Sequence, residues 1–128
     1  METKETQRMI LHLGTDLMMA SSIGTLARQR QIGFRSFTTA GKLVEAIGAN
    51  VNPLVIINMQ LPGLDIAELG KQLIKLGPNS ITVLWFAQHV YEDLLHASAV
   101  TGIGVVLTRG QLSKKLPELV SQWEIPVV

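Results

Sequence analysis

Apolar positions along this chain come in two alternating textures. Short runs such as Leu54-Val55-Ile56-Ile57 lack polar alternation, as strands do when a parallel sheet is covered on both faces. Between such runs lie stretches in which apolar residues recur every three or four positions, the spacing of one helix face. Met19, Ile23 and Leu26 are one such set, and Ile66, Leu69, Leu73 and Leu76 another. The pattern predicts strands over 9–13, 34–37, 54–57, 81–86 and 103–107. It predicts helices over 17–30, 42–48, 65–76 (opened by Asp65 or Leu64), 91–100 and 116–123.

The punctuation between these elements fits the same scheme. Asp16 precedes the first helix, where its carboxylate can accept orphan N–H groups. Gly33 is read as the left-handed terminator of that helix. Thr39-Ala40-Gly41 is read as a turn, and Gly77-Pro78-Asn79 and Gly102 as helix stops. Pro117 lacks an N–H, so the last helix is placed with its start near Leu116 and Pro117 in its first turn. Lys114 and Lys115 then precede that helix. Strand and helix alternate throughout, and each crossover is long enough to hold a helix. The class is therefore α/β, with parallel strands, right-handed connections and helices on both faces of the sheet, a three-layer sandwich.

Composition narrows the function classes. With 47% hydrophobic and 16% charged residues, the chain is expected to build a core and not to remain disordered. A net charge of +1 gives no basis for nucleic-acid or anionic-membrane binding. There is no Cys, which excludes disulfides and thiolate metal sites. The polar, mixed-charge start and the absence of a membrane-length apolar run make a cytoplasmic protein the expectation. The 128 residues are read as one domain, residues 1–128, with its core at about 9–123. The last residues, 124–128, are read as the start of a linker.

Candidate chemistry gathers around Asn58. In open α/β sheets ligands collect at the carboxyl ends of the strands, and Asn58 closes the predicted central strand just before Leu61-Pro62-Gly63. Residues 55–63 resemble the third strand and following turn of bacterial response-regulator receiver domains. Residues 102–112, Gly-Ile-Gly-Val-Val-Leu-Thr-Arg-Gly-Gln-Leu, resemble the receiver segment in which a strand runs into a Lys-Pro turn. The order of elements matches over about 9–123. The resemblance implies a flavodoxin-like (βα)5 fold with strand order 2-1-3-4-5.

Receivers transfer phosphate with an acceptor aspartate, an acidic pair that joins it in holding Mg²⁺, a hydroxyl and a lysine. Hard anionic oxygens suit Mg²⁺, and fixed donors stabilise the transferring phosphoryl group. At the matching positions this chain has Asn58 for the acceptor and Gly14 and Thr15 for the acidic pair, with Asp16 next. Phe86, or Trp85 on a one-residue shift, stands for the hydroxyl, Arg109 for the lysine and Gly110 for the proline. An amide does not form an acyl phosphate, so the resemblance implies a pseudo-receiver, without catalytic residues, metal or cofactor.

Other polar residues have plainer readings. Gln60, Gln88 and His89 fall at the same edge of the sheet and are candidates, with Asn58 and Arg109, for a small polar cleft. His12 is read as a satisfied strand histidine and His96 as surface. No glycine-rich phosphate fingerprint or nucleophile elbow occurs. The function expected is a phosphorylation-independent signalling or regulatory domain, not an enzyme, that binds a protein partner or a second copy of itself. The face of the fourth helix, fifth strand and fifth helix, with Tyr91, Leu95 and Leu112, is the interface that the resemblance implies. The alternative is a small-ligand or anion sensor using the cleft at the strand ends.

Overall fold

The computed structural model describes residues 8–77 and 81–124. Its strands are β1 (Met9–Leu13), β2 (Gly33–Phe37), β3 (Leu54–Asn58), β4 (Thr82–Ala87) and β5 (Val105–Thr108). Its helices are α1 (Leu17–Gln29), α2 (Ala40–Gly48), α3 (Ile66–Lys75), α4 (Glu92–Val100) and α5 (Arg109–Glu124). The strands pair in parallel in the order β2-β1-β3-β4-β5. This is the flavodoxin-like arrangement expected from the sequence.

Side chains alternate across a strand, and that alternation divides the core in two. Leu11, Leu13, Val55, Ile57, Val83 and Trp85 face α2, α3 and α4. Ile10, Leu54, Ile56, Leu84 and Phe86 face α1 and α5, where they meet Met19, Ile23, Leu112, Leu116 and Val120. Every residue of β3 is buried, which accounts for its uninterrupted apolar sequence. Arg8 donates to the Trp123 carbonyl at 2.9 Å, and its guanidinium lies over the Trp123 ring, tying the end of α5 to the start of β1.

Several boundaries differ from the sequence pattern, each for a local reason. Helix α1 ends in a Schellman motif: Ile32 N–H reaches Ala27 O and Gln31 N–H reaches Arg28 O. Its left-handed residue is Gln31, at φ 59°, and Gly33 instead opens β2. Thr39 is an N-cap whose hydroxyl accepts from Lys42 N–H, so Ala40 and Gly41 belong to α2 rather than to a turn. Gly77 and Gly102 do stop α3 and α4, with positive φ and N–H bonds back to Ile74 O and Ala99 O. Pro78 and Asn79 lie outside the described residues, as does most of the tail read as a linker.

The largest correction concerns α5, which begins seven residues earlier than expected, at Arg109 instead of Leu116. Thr108 and Gln111 form a capping box: Gln111 N–H donates to Thr108 Oγ1, and Thr108 N–H donates to Gln111 Oε1. Two orphan donors are satisfied there, and the helix starts in spite of Pro117 downstream. Pro117 therefore lies inside α5, and Lys114 and Lys115 are helical. The buried stripe Leu112, Leu116, Val120, Trp123 offsets the backbone bond that Pro117 cannot make. The same shift removes Leu112 from any interface, because it is fully buried on the inner face of α5.

Candidate functional site

The site is the C-terminal edge of β1, β3 and β4 with the first turn of α5. Parallel register sets Asn58 beside Phe86, so Phe86, not Trp85, is the β4 residue next to the candidate acceptor position. Phe86 is fully buried on the α1 and α5 side. Trp85 points the other way and donates its indole N–H to Ile103 O at 2.8 Å. Gly104 leaves room for this approach, since a Cβ there would lie 3.1 Å from Trp85 Nε1 and 2.7 Å from Val83 O.

Asn58 is buried and engaged with its own turn. Its Oδ1 accepts from Gln60 N–H at 2.9 Å, an Asx turn that bends the chain away from β3. The turn is continued by Gln60, whose Oε1 accepts from Gln88 N–H at 2.8 Å and links the β3 and β4 loops. Gly14 packs directly against this arrangement. A Cβ at position 14 would lie 2.9 Å from Asn58 Cβ and 3.2 Å from His12 Nε2. No side chain fits there without displacing Asn58 or His12. Thr15, beside it, is exposed.

Asp16 and Arg109 close the site. Asp16 Oδ1 accepts from Met19 N–H at 3.0 Å and so caps α1. Its Oδ2 accepts from Arg109 Nε at 3.1 Å and Nη2 at 2.7 Å. The Met19 N–H is the main cause that holds the Asp16 carboxyl below its ordinary range; the Arg109 guanidinium adds to this, and partial burial opposes it. One carboxylate therefore caps a helix and neutralises the Arg109 cation.

The polar candidates do not all converge. Gln88, His89 and Arg109 line an open cleft of about 370 Å³ with Val90 and Gly110. Asn58 and Gln60 lie outside its lining. Tyr91 is exposed and Leu95 half-buried, the latter packed on the core. Among the described residues, no group of three His, Asp or Glu side chains is placed to hold a metal. Nor is any described helix long and apolar enough to cross a membrane.

His12 is the residue that sequence reasoning undervalued. It is fully buried in β1; its Nδ1 meets Ser36 Oγ at 2.8 Å, while Nε2 has no partner. It is thus half satisfied, not the satisfied histidine expected. Burial pushes its pKa from 6.5 down to about 4, with the Asp16 charge opposing the shift. A polar residue inside an otherwise apolar strand was the available signal.

No family model and no curated protein matches the chain. Solved structures do. Full-length FixJ from B. japonicum aligns at 22% identity and TM-score 0.69, over 96% of this chain and 61% of FixJ. This chain thus spans less than two thirds of FixJ. A CheY-like response regulator receiver domain protein from Methanospirillum hungatei JF-1 aligns at 18% identity and TM-score 0.71, over 92% of this chain and 97% of that one. The receiver domain of Ssk1 from Saccharomyces cerevisiae, solved with the histidine phosphotransfer protein Ypd1, belongs to a structure that aligns at 15% identity and TM-score 0.71, over 96% and 95% of the two chains. The chain has the receiver-domain fold.

Proposed function

We propose that residues 1–128 form a single pseudo-receiver, a cytoplasmic signalling or regulatory module that works by protein–protein contact, independently of phosphorylation and without enzymatic activity. The observation that carries this reading is that the groups at the strand ends are engaged with one another. Asn58 holds its own turn, Asp16 holds both α1 and Arg109, and Phe86 fills the β4 position. The position beside them, Gly14, has no room for the carboxylate that a Mg²⁺ site would need. Reverting Asn58 alone would leave those obstacles in place. Association is supported by the apolar side chains left in solvent at this end of the sheet, Leu17, Met18, Val90 and Tyr91. The Ssk1 receiver solved with Ypd1 gives an instance of such a fold engaging a protein partner.

Incubation with acetyl phosphate and Mg²⁺ followed by intact-mass measurement tests the reading. Wild type and the Asn58→Asp variant are both expected to keep their mass. A stoichiometric phosphoryl adduct on wild type would refute phosphorylation independence. Adduct on Asn58→Asp alone would show that the surrounding groups still permit transfer.

The second reading, an anion sensor, is favoured by the cleft beside Arg109. Its weakness is that Asp16 already neutralises this cation. Thermal unfolding with inorganic phosphate or citrate separates the two, because a ligand bound only by the folded state raises the midpoint. No shift is expected under the first reading.

A further inference from the structure

The groove between α3 and α4 is the best-formed apolar feature away from the strand ends. It encloses about 250 Å³ and is lined by Ala67, Gly70, Lys71, Ile74, Ala97, Val100 and Thr101. Its depth comes from missing side chains. Gly70 lets α3 approach Thr101 so closely that a Cβ there would lie 2.7 Å from Thr101 Cγ2, and Ala67 and Ala97 add only methyl groups. At the lower end of the groove stand Ile74, 45% exposed, and Val100, 68% exposed. A hole and a projecting side chain therefore sit on one helix face, a turn or two apart.

The charges on α3 are also segregated. Asp65 and Glu68 lie at its N-terminal end, and Lys71 and Lys75 in its C-terminal half, all exposed. That order is self-complementary under a two-fold axis that sets two copies of α3 antiparallel. If Ile74 of one copy enters the hole beside Ala67 of the other, Glu68 lies across from position 73 of its mate. It is then between Lys71 and Lys75 of that copy, about 3 Å along the axis from each at the helical rise. One register thus seats both Ile74 side chains and pairs both Glu68 carboxylates.

We propose that this chain associates with a second copy of itself through antiparallel α3 helices. This rests on the reading of the domain as an association module and replaces the face centred on Tyr91, Leu95 and Leu112, which loses its buried Leu112. A contact of one helix and its flanks is smaller than the ~1,200–2,000 Å² of a stable interface. The dimer is accordingly weak, in the micromolar-to-millimolar range.

Sedimentation equilibrium across that range tests it. Wild type is expected to dimerise and Ile74→Glu to remain monomeric. Glu68→Lys and Lys75→Glu should each weaken the dimer by about tenfold, since the two-fold axis doubles the loss of an exposed ion pair. The double variant Glu68→Lys with Lys75→Glu should restore most of that affinity, since each new charge meets its opposite on the other copy. Within one chain these positions are about 10 Å apart along the axis, so repair inside a monomer does not mimic the result. Unfolding midpoints confirm that each variant is folded. A monomeric wild type at millimolar concentration overturns the proposal. So does a dimer that survives Ile74→Glu, one in which the double variant is no better than the singles, or one abolished by Val105→Glu on the β5 edge. None of these outcomes touches the acetyl phosphate result, so the dimer can fail while the pseudo-receiver reading stands.

Discussion

The strand-end site and the α3–α4 groove lie in the same fold but are finished in opposite ways. At the strand ends the polar groups are matched to one another and the remaining space is filled by Phe86. Along α4 only Ser98 is fully buried, and Ile74 and Val100, which line the groove, stay in solvent. A site that performs chemistry keeps vacancies and uncompensated charge where the substrate will sit. A surface that associates keeps exposed apolar area instead. In this molecule the groups around Asn58 and Arg109 are paired with one another, and the groove beside Ile74 keeps exposed apolar area.

The strongest way to break that contrast is to empty the closed site. Phe86→Ala should destabilise the domain by about 3–5 kcal/mol, because a fully buried ring is removed from a packed layer. Denaturant melts measure this, and a loss below about 1 kcal/mol would mean that the ring is not part of the core.

Acid probes the same layer through His12. Its pKa of about 4 in the fold lies below the ordinary 6.5, so the unfolded chain binds the proton more readily. Stability is therefore complete above pH 6.5 and falls as the pH drops from there to about 4. At 1.36 kcal/mol per unit the loss is about 3 kcal/mol. Asp16, whose pKa is lowered, adds its own loss only as the pH falls below its ordinary 3.8. Stability measured against pH should show the His12 step in wild type and not in His12→Val. A flat profile between pH 6.5 and 4 in wild type would remove buried, neutral His12 from the account.

The smallest effect is expected on the open side. Ile74→Glu should change the stability of the monomer by less than about 0.5 kcal/mol, since the side chain makes little of the core. A loss of several kcal/mol would show that the groove is internal packing and not a free face.

Most of the fold was legible because its signals are local. Apolar runs flanked by helical stripes gave the five alternating units, and Asp16 and Asp65 gave two helix starts that the structure keeps as side-chain caps. The start of α5 was legible in principle. Thr108-Arg109-Gly110-Gln111 is a capping-box sequence, but Pro117 carried more weight in the reading than its burial-compensated position warrants. The end of α1 was less legible, because a glutamine in left-handed geometry gives no compositional warning and Gly33 stood two residues away. Of the site, the residue identities were readable and their pairing was not.

The sequence by itself determined the α/β class, the parallel sheet and the absence of a carboxylate at position 58, since periodicity and residue type are properties of the chain. Only the tertiary structure decided that Arg109 is neutralised by Asp16, a residue 93 positions away. It alone decided that Gly14 is walled in by His12 and Asn58, that Leu112 faces inward, and that Ile74 stands beside a hole. Those facts depend on which strand ends and helix faces meet, and on register to within one residue, where a single shift reverses what a side chain faces.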